Sequence, residues 1–230
     1  MMLKDKVAVI YGAGGAIGSA VARAFASEGA SLFLTGRHLA PVNVAAKDVV
    51  SANGSPVGVP DTKILGVPLI GLDVEQFSLP ITSYTTSYFV TARLAARRMI
   101  ANKSGVIMRV TALHSRTGIP LVGGYGPAMA AMEALTRDLS AELAPQGIRV
   151  VGLRPQAMPE TGTIKKAFEP RAKASGMTWE QWQEFLARRT HPRRLMTLEE
   201  MANVAVFMAS DKASGMTGTT VNLTMGSLDD

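Results

Sequence analysis

The sequence predicts an α/β fold: a doubly wound parallel sheet with helices on both faces, formed as a single domain over residues 1–230. Short apolar runs, typical of buried strands, alternate along the chain with stretches of helical periodicity. The chain has 230 residues and 47% hydrophobic content, which is enough to bury one substantial core. This alternation favours a parallel sheet that is covered on both faces.

The predicted elements follow one another in a regular order. Four apolar runs predict buried strands, at Val7–Ile10, Ser31–Thr35, Gly105–Thr111 and Ile148–Leu153. Helical patterns cover residues 19–25, 39–51, 85–102 and 127–143, and capping boxes open further helices at Thr178–Gln181 and Thr197–Glu200. Residues 57–79 are rich in proline and glycine and predict irregular structure.

The first strand runs directly into a glycine-rich turn and a helix. Glycines allow the backbone to turn tightly and to approach a pyrophosphate, and a helix N-terminus offers free N–H groups and a partial positive charge. The strand and helix on either side indicate a Rossmann-like nucleotide-binding turn, with a purely structural turn as the alternative. We expect the cofactor to contact Gly12, Gly14, Gly15, Ala16, Ile17 and Gly18.

The composition excludes several classes of site. The chain has no cysteine, which excludes disulfides, thiol catalysis and cysteine-ligated metals and fits a cytoplasmic protein. The three histidines lie far apart in sequence, so no metal site is predicted.

Charge and hydropathy limit the partners. The net charge of +6 comes from basic residues that are spread along the chain without a nucleic-acid-binding motif. No apolar run reaches the ~18 residues that cross a bilayer, and the first strand begins too early to leave room for a signal peptide. We therefore predict no nucleic-acid partner and no membrane association.

Two further segments match sequence motifs that occur together in one protein family. Around Tyr125 the pattern continues through Met129, Ala130, Ala131, Glu133, Leu135, Thr136, Arg137 and Leu139, and the last third matches over 194–200, 206–211 and 213–218. The glycine motif matches at Gly12 and Gly18, with Ala16 in place of its middle glycine. Over nearly its whole length the chain thus resembles the short-chain dehydrogenase/reductases.

The resemblance implies an oxidoreductase that acts on a carbonyl/alcohol pair of a small-molecule substrate. It implies a homodimer or homotetramer, formed through helices like 85–102 and 127–143. Pro155 resembles the start of the family's cofactor loop, and Thr161 and Thr163 would lie near the carboxamide of the cofactor. Residues 160–194 would form a substrate lid. The aromatic residues after 178 would pack in the core, at an oligomer contact or in that lid.

The cofactor preference follows from the end of the second strand. NAD-binding members carry an acid there, which accepts from the ribose 2′-hydroxyl. This chain has Gly36, followed by Arg37 and His38. A guanidinium suits a 2′-phosphate in charge and in geometry, so NADP(H) is predicted, with His38 assisting. The alternative is that Arg37 is an ordinary surface arginine and His38 is solvated.

The catalytic pattern is incomplete. The resemblance implies a tyrosine acid/base, a lysine one turn later, a serine after the third strand and an asparagine on an earlier helix. Tyr125 is present, but Met129 occupies the lysine position, Ala112 the serine position, and no asparagine occurs near Tyr84–Thr86. The prediction is therefore a divergent enzyme. The alternative is a catalytically silent NADP(H)-binding protein that acts as a sensor or partner subunit.

Residues after the third strand are candidate substitutes. Thr111 or Ser115 would donate to a substrate carbonyl and His114 would supply a proton, with loop or capping roles as the alternative. Arg109 is unexpected in a buried strand. It either pairs with an acid or supplies the missing positive charge.

The family pattern also implies a strand, a helix and a further strand near residues 52–58, where this chain is too short to hold them. A central strand cannot be absent without leaving unpaired backbone groups in the sheet. We predict either a skipped or deleted segment near 52–58, or a replacement strand formed by Ile64–Leu72.

Overall fold

The computed structural model describes residues 1–36, 39–46 and 66–229. The chain divides into two units. Unit 1 comprises Met1–Gly58, Met158–Thr163 and Met196–Ser214, and unit 2 comprises Val59–Ala157, Ile164–Leu195 and Gly215–Asp230. No helix within the described ranges is long and apolar enough to cross a membrane.

Unit 1 is built on two parallel strands. Strands β1 (Val7–Tyr11) and β2 (Ser31–Thr35) pair in the register Val7 to Ser31, and helix α1 (Ala16–Ser27) connects them. A helical crossover is the connection that parallel strands require. Helix α2 (Leu39–Ala46) follows β2, and α7 (Leu198–Ala209) packs against α1.

Unit 2 contains a three-stranded parallel sheet in the order β3-β4-β5. Its strands are β3 (Gly105–Val110), β4 (Ile148–Pro155) and β5 (Thr220–Leu223). Its helices are α3 (Val74–Asn102), α4 (Tyr125–Leu143), most of α5 (Gly162–Ala174), and α6 (Trp179–Ala187). Every residue of β4 except Arg149 is buried, as expected for a strand between two neighbours.

The core of unit 2 lies between this sheet and helices α3 and α4. Ile107 and Val150 of the sheet belong to one apolar cluster with Met129 and Met132 of α4. Alanines at the buried positions 92, 96 and 128 allow the two helices to approach closely. The close packing of α3 and α4 determines where the first residues of α4 lie.

The structure confirms most predicted elements and corrects one. The four strands and both capping boxes are present. The predicted start of α3 at residue 85 is wrong, because the helix begins at Val74 behind a capping box formed by Asp73 and Gln76. Pro80 lies inside the helix, and because proline normally interrupts a helix, the sequence did not predict that the helix begins before it. Helix α5 and strand β5 were not predicted.

The replacement strand predicted at Ile64–Leu72 is wrong for its described part. Residues 66–72 contain only a single 3₁₀ turn, Leu69–Gly71, and no strand. The rest of that range and the segment 52–58 lie outside the described residues. The same holds for Arg37 and His38.

Candidate functional site

The glycine-rich turn has the backbone conformation that its sequence predicts. Gly12 adopts a positive φ of 75°, and the N–H of Gly15 donates to the Gly12 carbonyl at 2.9 Å. Gly12, Gly14 and Gly15 are exposed, and α1 begins directly after Gly15. No side chain caps that helix, so its first N–H groups are available to an anion.

Two glycines of this turn permit close backbone approach. A Cβ atom on Gly18 would lie 2.9 Å from Cα of Ala13 and would also meet the Gly12 carbonyl oxygen. A Cβ atom on Gly14 would lie 3.0 Å from Cβ of Pro41. The obstacles at Gly18 are backbone atoms, so the turn itself would have to move.

We therefore expect Gly18→Ala to shift the turn and to weaken nucleotide binding by about 5- to 150-fold, since forced overpacking costs about 1–3 kcal/mol. Titration with NADPH, combined with a thermal unfolding scan, measures both effects. Gly215→Ala is the matched control, because a Cβ atom there meets nothing within 4 Å. Unchanged affinity in a folded Gly18→Ala protein would contradict the assignment of this turn to the cofactor.

The predicted cofactor residues outside the turn lie in different surroundings. Pro155 ends β4 and is buried. Thr161 is also buried, and its hydroxyl donates to the Met158 carbonyl at 2.9 Å, so only its oxygen lone pairs remain for a ligand. Thr163 lies in α5, but its side chain is outside the described set.

Tyr125 is the first residue of α4, and aromatic rings contact it from two elements. The His114 ring lies 5.1 Å away and the Tyr84 ring 5.9 Å away, both edge to face. Burial raises the pKa of Tyr125 well above its ordinary value, Tyr84 adds to the rise, and Arg109 opposes it. Tyr125 is therefore neutral at working pH and carries a proton, which the raised pKa makes harder to donate than the proton of an ordinary tyrosine.

A buried ion pair involves Glu133, which lies further along the same helix. Glu133 of α4 and Arg154 of β4 are joined by two hydrogen bonds of 2.9 Å, and their side chains are only 4% and 3% exposed. Ser115 and Thr111 donate to the same carboxylate at 2.6 and 3.0 Å. We name these four residues the Glu133 cluster.

The Glu133 cluster fixes the loop after β3. Burial alone would raise the pKa of the Glu133 carboxyl, but hydrogen bonds from Arg154, Ser115 and Thr111 and the charge of Arg154 outweigh burial and hold that pKa below its usual range. The hydroxyl proton of Ser115 is thus directed at Glu133, and that of Thr111 is shared between Glu133 and the Leu153 carbonyl, 3.3 Å away. A substrate carbonyl would have to compete with this carboxylate for them.

Sequence reasoning missed the pairing of Glu133 with Arg154, although both residues carried a signal. Arg154 is a charged residue in the apolar run of β4. Glu133 shares the buried face of α4 with Met129 and Thr136, at helical spacing. A polar residue on a buried face predicts a partner, but the spacing does not identify it.

The remaining predicted positions are also placed by the structure. Met129 is 2% exposed and belongs to the core of unit 2, and Ala112 packs partly buried against it. Among the residues that the structure describes, no group of three or more metal-ligating side chains occurs.

Comparison with known proteins places the chain in a family. A family profile described as "Enoyl-(Acyl carrier protein) reductase" matches residues 55–227. The chain belongs to the short-chain dehydrogenase/reductase family. It is 29% identical to the peroxisomal 2,4-dienoyl-CoA reductase of Rattus norvegicus over 247 residues, which cover 94% of this chain and 82% of the relative. That alignment is longer than this chain, so the rat enzyme contains residues without a counterpart here.

Solved structures of the short-chain dehydrogenase/reductase fold agree with the α/β class predicted from the sequence. An NAD⁺-bound xylitol dehydrogenase superposes with a TM-score of 0.87 at 22% identity, covering 98% of this chain and 100% of the other. A gluconate 5-dehydrogenase of Burkholderia cenocepacia, in complex with NADP and tartrate, gives 0.82 at 20% identity, covering 97% and 95%. At this identity the likeness establishes the Rossmann-like fold.

Proposed function

We propose that this short-chain dehydrogenase/reductase is a divergent NADP(H)-dependent oxidoreductase that acts on a carbonyl/alcohol pair of a small molecule. The observation that carries the proposal is Tyr125, an un-ionised phenol at the first turn of α4 with His114 against its ring. A neutral phenol in this position is suited to protonating a substrate oxygen as that oxygen gains negative charge.

The residues around the glycine turn fit a dinucleotide. The exposed glycines 12, 14 and 15 have no side chains to exclude a pyrophosphate, and the uncapped N-terminus of α1 complements its charge. We assign the pyrophosphate to Gly12–Gly18, the 2′-phosphate to Arg37 with His38, and the nicotinamide side to Pro155, Thr161 and Thr163. When bound, the nicotinamide supplies the hydride.

The chain's own residues then manage the proton. Tyr125 donates its hydroxyl proton to the substrate oxygen. His114 lies against the Tyr125 ring on the 3₁₀ turn Leu113–Ser115 and is the candidate to return a proton. Thr111 and Ser115 would have to give up their hydrogen bonds to Glu133 before they could donate to the substrate. Their main role is therefore to hold the loop after β3 in place.

The alternative function is a silent NADP(H)-binding protein, and Met129 favours it. In the family pattern this position holds a lysine, whereas the methionine here is buried in the core. A thioether cannot hold a ribose hydroxyl by charge or lower the pKa of a tyrosine. Ala112 likewise lacks the hydroxyl implied at its position.

The names of the relatives guide the choice of substrates. They include dienoyl-CoA reductases and a sorbitol-6-phosphate 2-dehydrogenase of Klebsiella pneumoniae, which is 30% identical over 67% of this chain. A screen should therefore contain unsaturated acyl thioesters as well as sugar alcohols and their ketones. Turnover of either class with NADPH would support an enzyme over a silent binder.

Other predictions from the sequence extend this proposal. The longer alignment with the rat relative fits a chain that lacks residues of that relative, and the skipped or deleted segment near 52–58 remains a prediction. The substrate lid over 160–194, the homodimer or homotetramer and the cytoplasmic location remain predictions. Size-exclusion chromatography with light scattering measures the oligomeric state directly.

The cofactor preference is tested by titrating the protein with NADPH and with NADH. We expect Arg37→Ala to weaken NADPH binding by about 10- to 100-fold and to leave NADH binding unchanged, since hydrogen bonds to charged groups contribute about 1.5–3 kcal/mol. Arg137→Ala, at an exposed position of α4, controls for the loss of one positive charge. Equal losses for NADPH and NADH would contradict a 2′-phosphate contact, and absence of binding to both would contradict the proposed cofactor.

A further inference from the structure

Arg109 is a cation in a position where a strand residue is normally apolar. It is the residue before the end of β3, and its Nε donates to the Met132 sulfur at 3.1 Å. Its guanidinium carbon lies 5.9 Å from the ring centre of Tyr84 and 5.9 Å from that of Tyr88. Burial lowers the pKa of Arg109, but an arginine starts high enough to stay charged.

No acid neutralises this charge within the described part of the chain. None of the described carboxylates lies within 4.0 Å of the Arg109 guanidinium. Glu133 is the buried acid on the neighbouring helix, but both its oxygens are bonded to Arg154. Arg109 is partly buried, so its charge is partly removed from water without an anion, and such groups concentrate at functional sites.

The tyrosines connect Arg109 to the proposed proton donor. Tyr84 contacts the guanidinium with its ring and packs edge to face against Tyr125 at 5.9 Å. Arg109 and Tyr125 thus share Tyr84 as a neighbour, and the charge of Arg109 opposes the rise in the pKa of Tyr125. At position 129, where the family pattern would place a cation, α4 has a buried methionine.

We propose that Arg109 stabilises the tyrosinate that remains when Tyr125 gives up its proton, replacing from strand β3 the cation that is absent from helix α4. The inference rests on the proposed function. In the reduction, the substrate carbon gains a hydride, its oxygen gains the proton of Tyr125, and the phenolate oxygen keeps the electron pair of the broken O–H bond. Arg109 is then a positioning residue that acts through Tyr125 and does not contact substrate.

The surroundings of Tyr125 contain few other groups that would have this effect. Helix α3 contributes the neutral Tyr84, and the loop after β3 contributes His114. Glu133 lies on α4 itself, in its ion pair with Arg154. Of the described groups that face Tyr125, Arg109 is the one that is permanently charged.

The test measures ionisation of Tyr125 without cofactor or substrate. The full chain is prepared with fluorinated tyrosine, whose phenol is more acidic, and titrated by fluorine NMR. The chain has four tyrosines, so comparison with Tyr125→Phe identifies the Tyr125 signal. We expect Arg109→Met to make the Tyr125 ionisation constant about tenfold smaller, the lower end of the effect of a nearby opposite charge.

Two further variants make the outcome decisive. Arg109→Lys keeps the positive charge, so the ionisation constant of Tyr125 should stay close to the wild-type value. This variant also provides a test if Arg109→Met folds poorly. Arg97→Met, at an exposed position of α3, should change nothing. The proposal is overturned if the ionisation constant of Tyr125 is the same in the wild type and in a folded Arg109→Met protein. It is also overturned if Arg97→Met changes this constant as much as Arg109→Met does. The third contradicting result is an Arg109→Lys protein whose constant differs from the wild-type value as much as that of Arg109→Met.

The titration separates this inference from the proposed function. A Tyr125 ionisation that depends on Arg109, in a protein without turnover on any substrate, supports the electrostatic coupling and counts against the enzyme. An active enzyme in which Tyr125 ionises independently of Arg109 supports the proposed function and overturns the inference.

Discussion

Replacing Tyr125 by phenylalanine should lower kcat/KM for reduction by about 10²- to 10⁴-fold, the usual contribution of a general acid. The ring is retained, so its edge-to-face contacts with His114 and Tyr84 should keep α4 in place. NADPH binding should be unchanged, because the variant loses only the transferable proton. Steady-state kinetics on the best substrate of the screen, together with an NADPH titration, measure both quantities.

Tyr11→Phe is the control for this experiment, because it removes a hydroxyl from a half-exposed ring at the end of β1. Turnover by Tyr125→Phe at nearly the wild-type rate would exclude Tyr125 as the acid. Activity should also hold as pH rises toward the ordinary tyrosine pKa of about 10, since burial keeps Tyr125 protonated there. A loss of the reductive rate in Tyr125→Phe that is no larger than in the control would instead point to His114 as the proton donor.

The second large effect is expected at the buried ion pair. Arg154→Met should lower the free energy of unfolding by about 3–5 kcal/mol, because it leaves the Glu133 carboxylate buried without a cation. Arg188→Met is the matched control, since its ion pair with Glu184 is 69% and 62% exposed and should contribute about 0–1 kcal/mol. Chemical denaturation of the three proteins measures the difference.

The same pair predicts how stability depends on pH. The folded protein holds the pKa of Glu133 below its unfolded value, so this contribution is complete above the unfolded pKa of about 4.3 and is lost as pH falls through the folded value. Glu133→Gln should therefore flatten the acid limb of the stability curve. The double variant with Arg154→Met should be more stable than Arg154→Met alone, and equal stability would show that the pair is not coupled.

The sequence predicted the elements better than it predicted their ends and partners. Strand β4 was recognisable because Ile148–Leu153 is a short, mostly apolar run that follows the turn signal Pro145–Gly147. The start of α3 was not, because Pro80 argues locally against a helix, whereas packing and the Asp73 capping box outweigh that cost. The Tyr125 position followed from a motif. The Glu133 cluster joins residues that lie 18 to 22 positions apart, and no local rule relates them.

Gly124, the residue before Tyr125, has a consequence for how this site changes over evolution. A Cβ atom there would lie 2.9 Å from Cγ of Pro80 and would meet the carbonyl oxygen of Phe77, so α3 and the start of α4 touch main chain to main chain. The location of residue 125 is thus set by backbone contact and does not depend on which side chain it carries. The side chain at position 125 can therefore change during evolution while the position itself stays in the same place. Gly124 cannot change as freely, because any side chain there would meet α3.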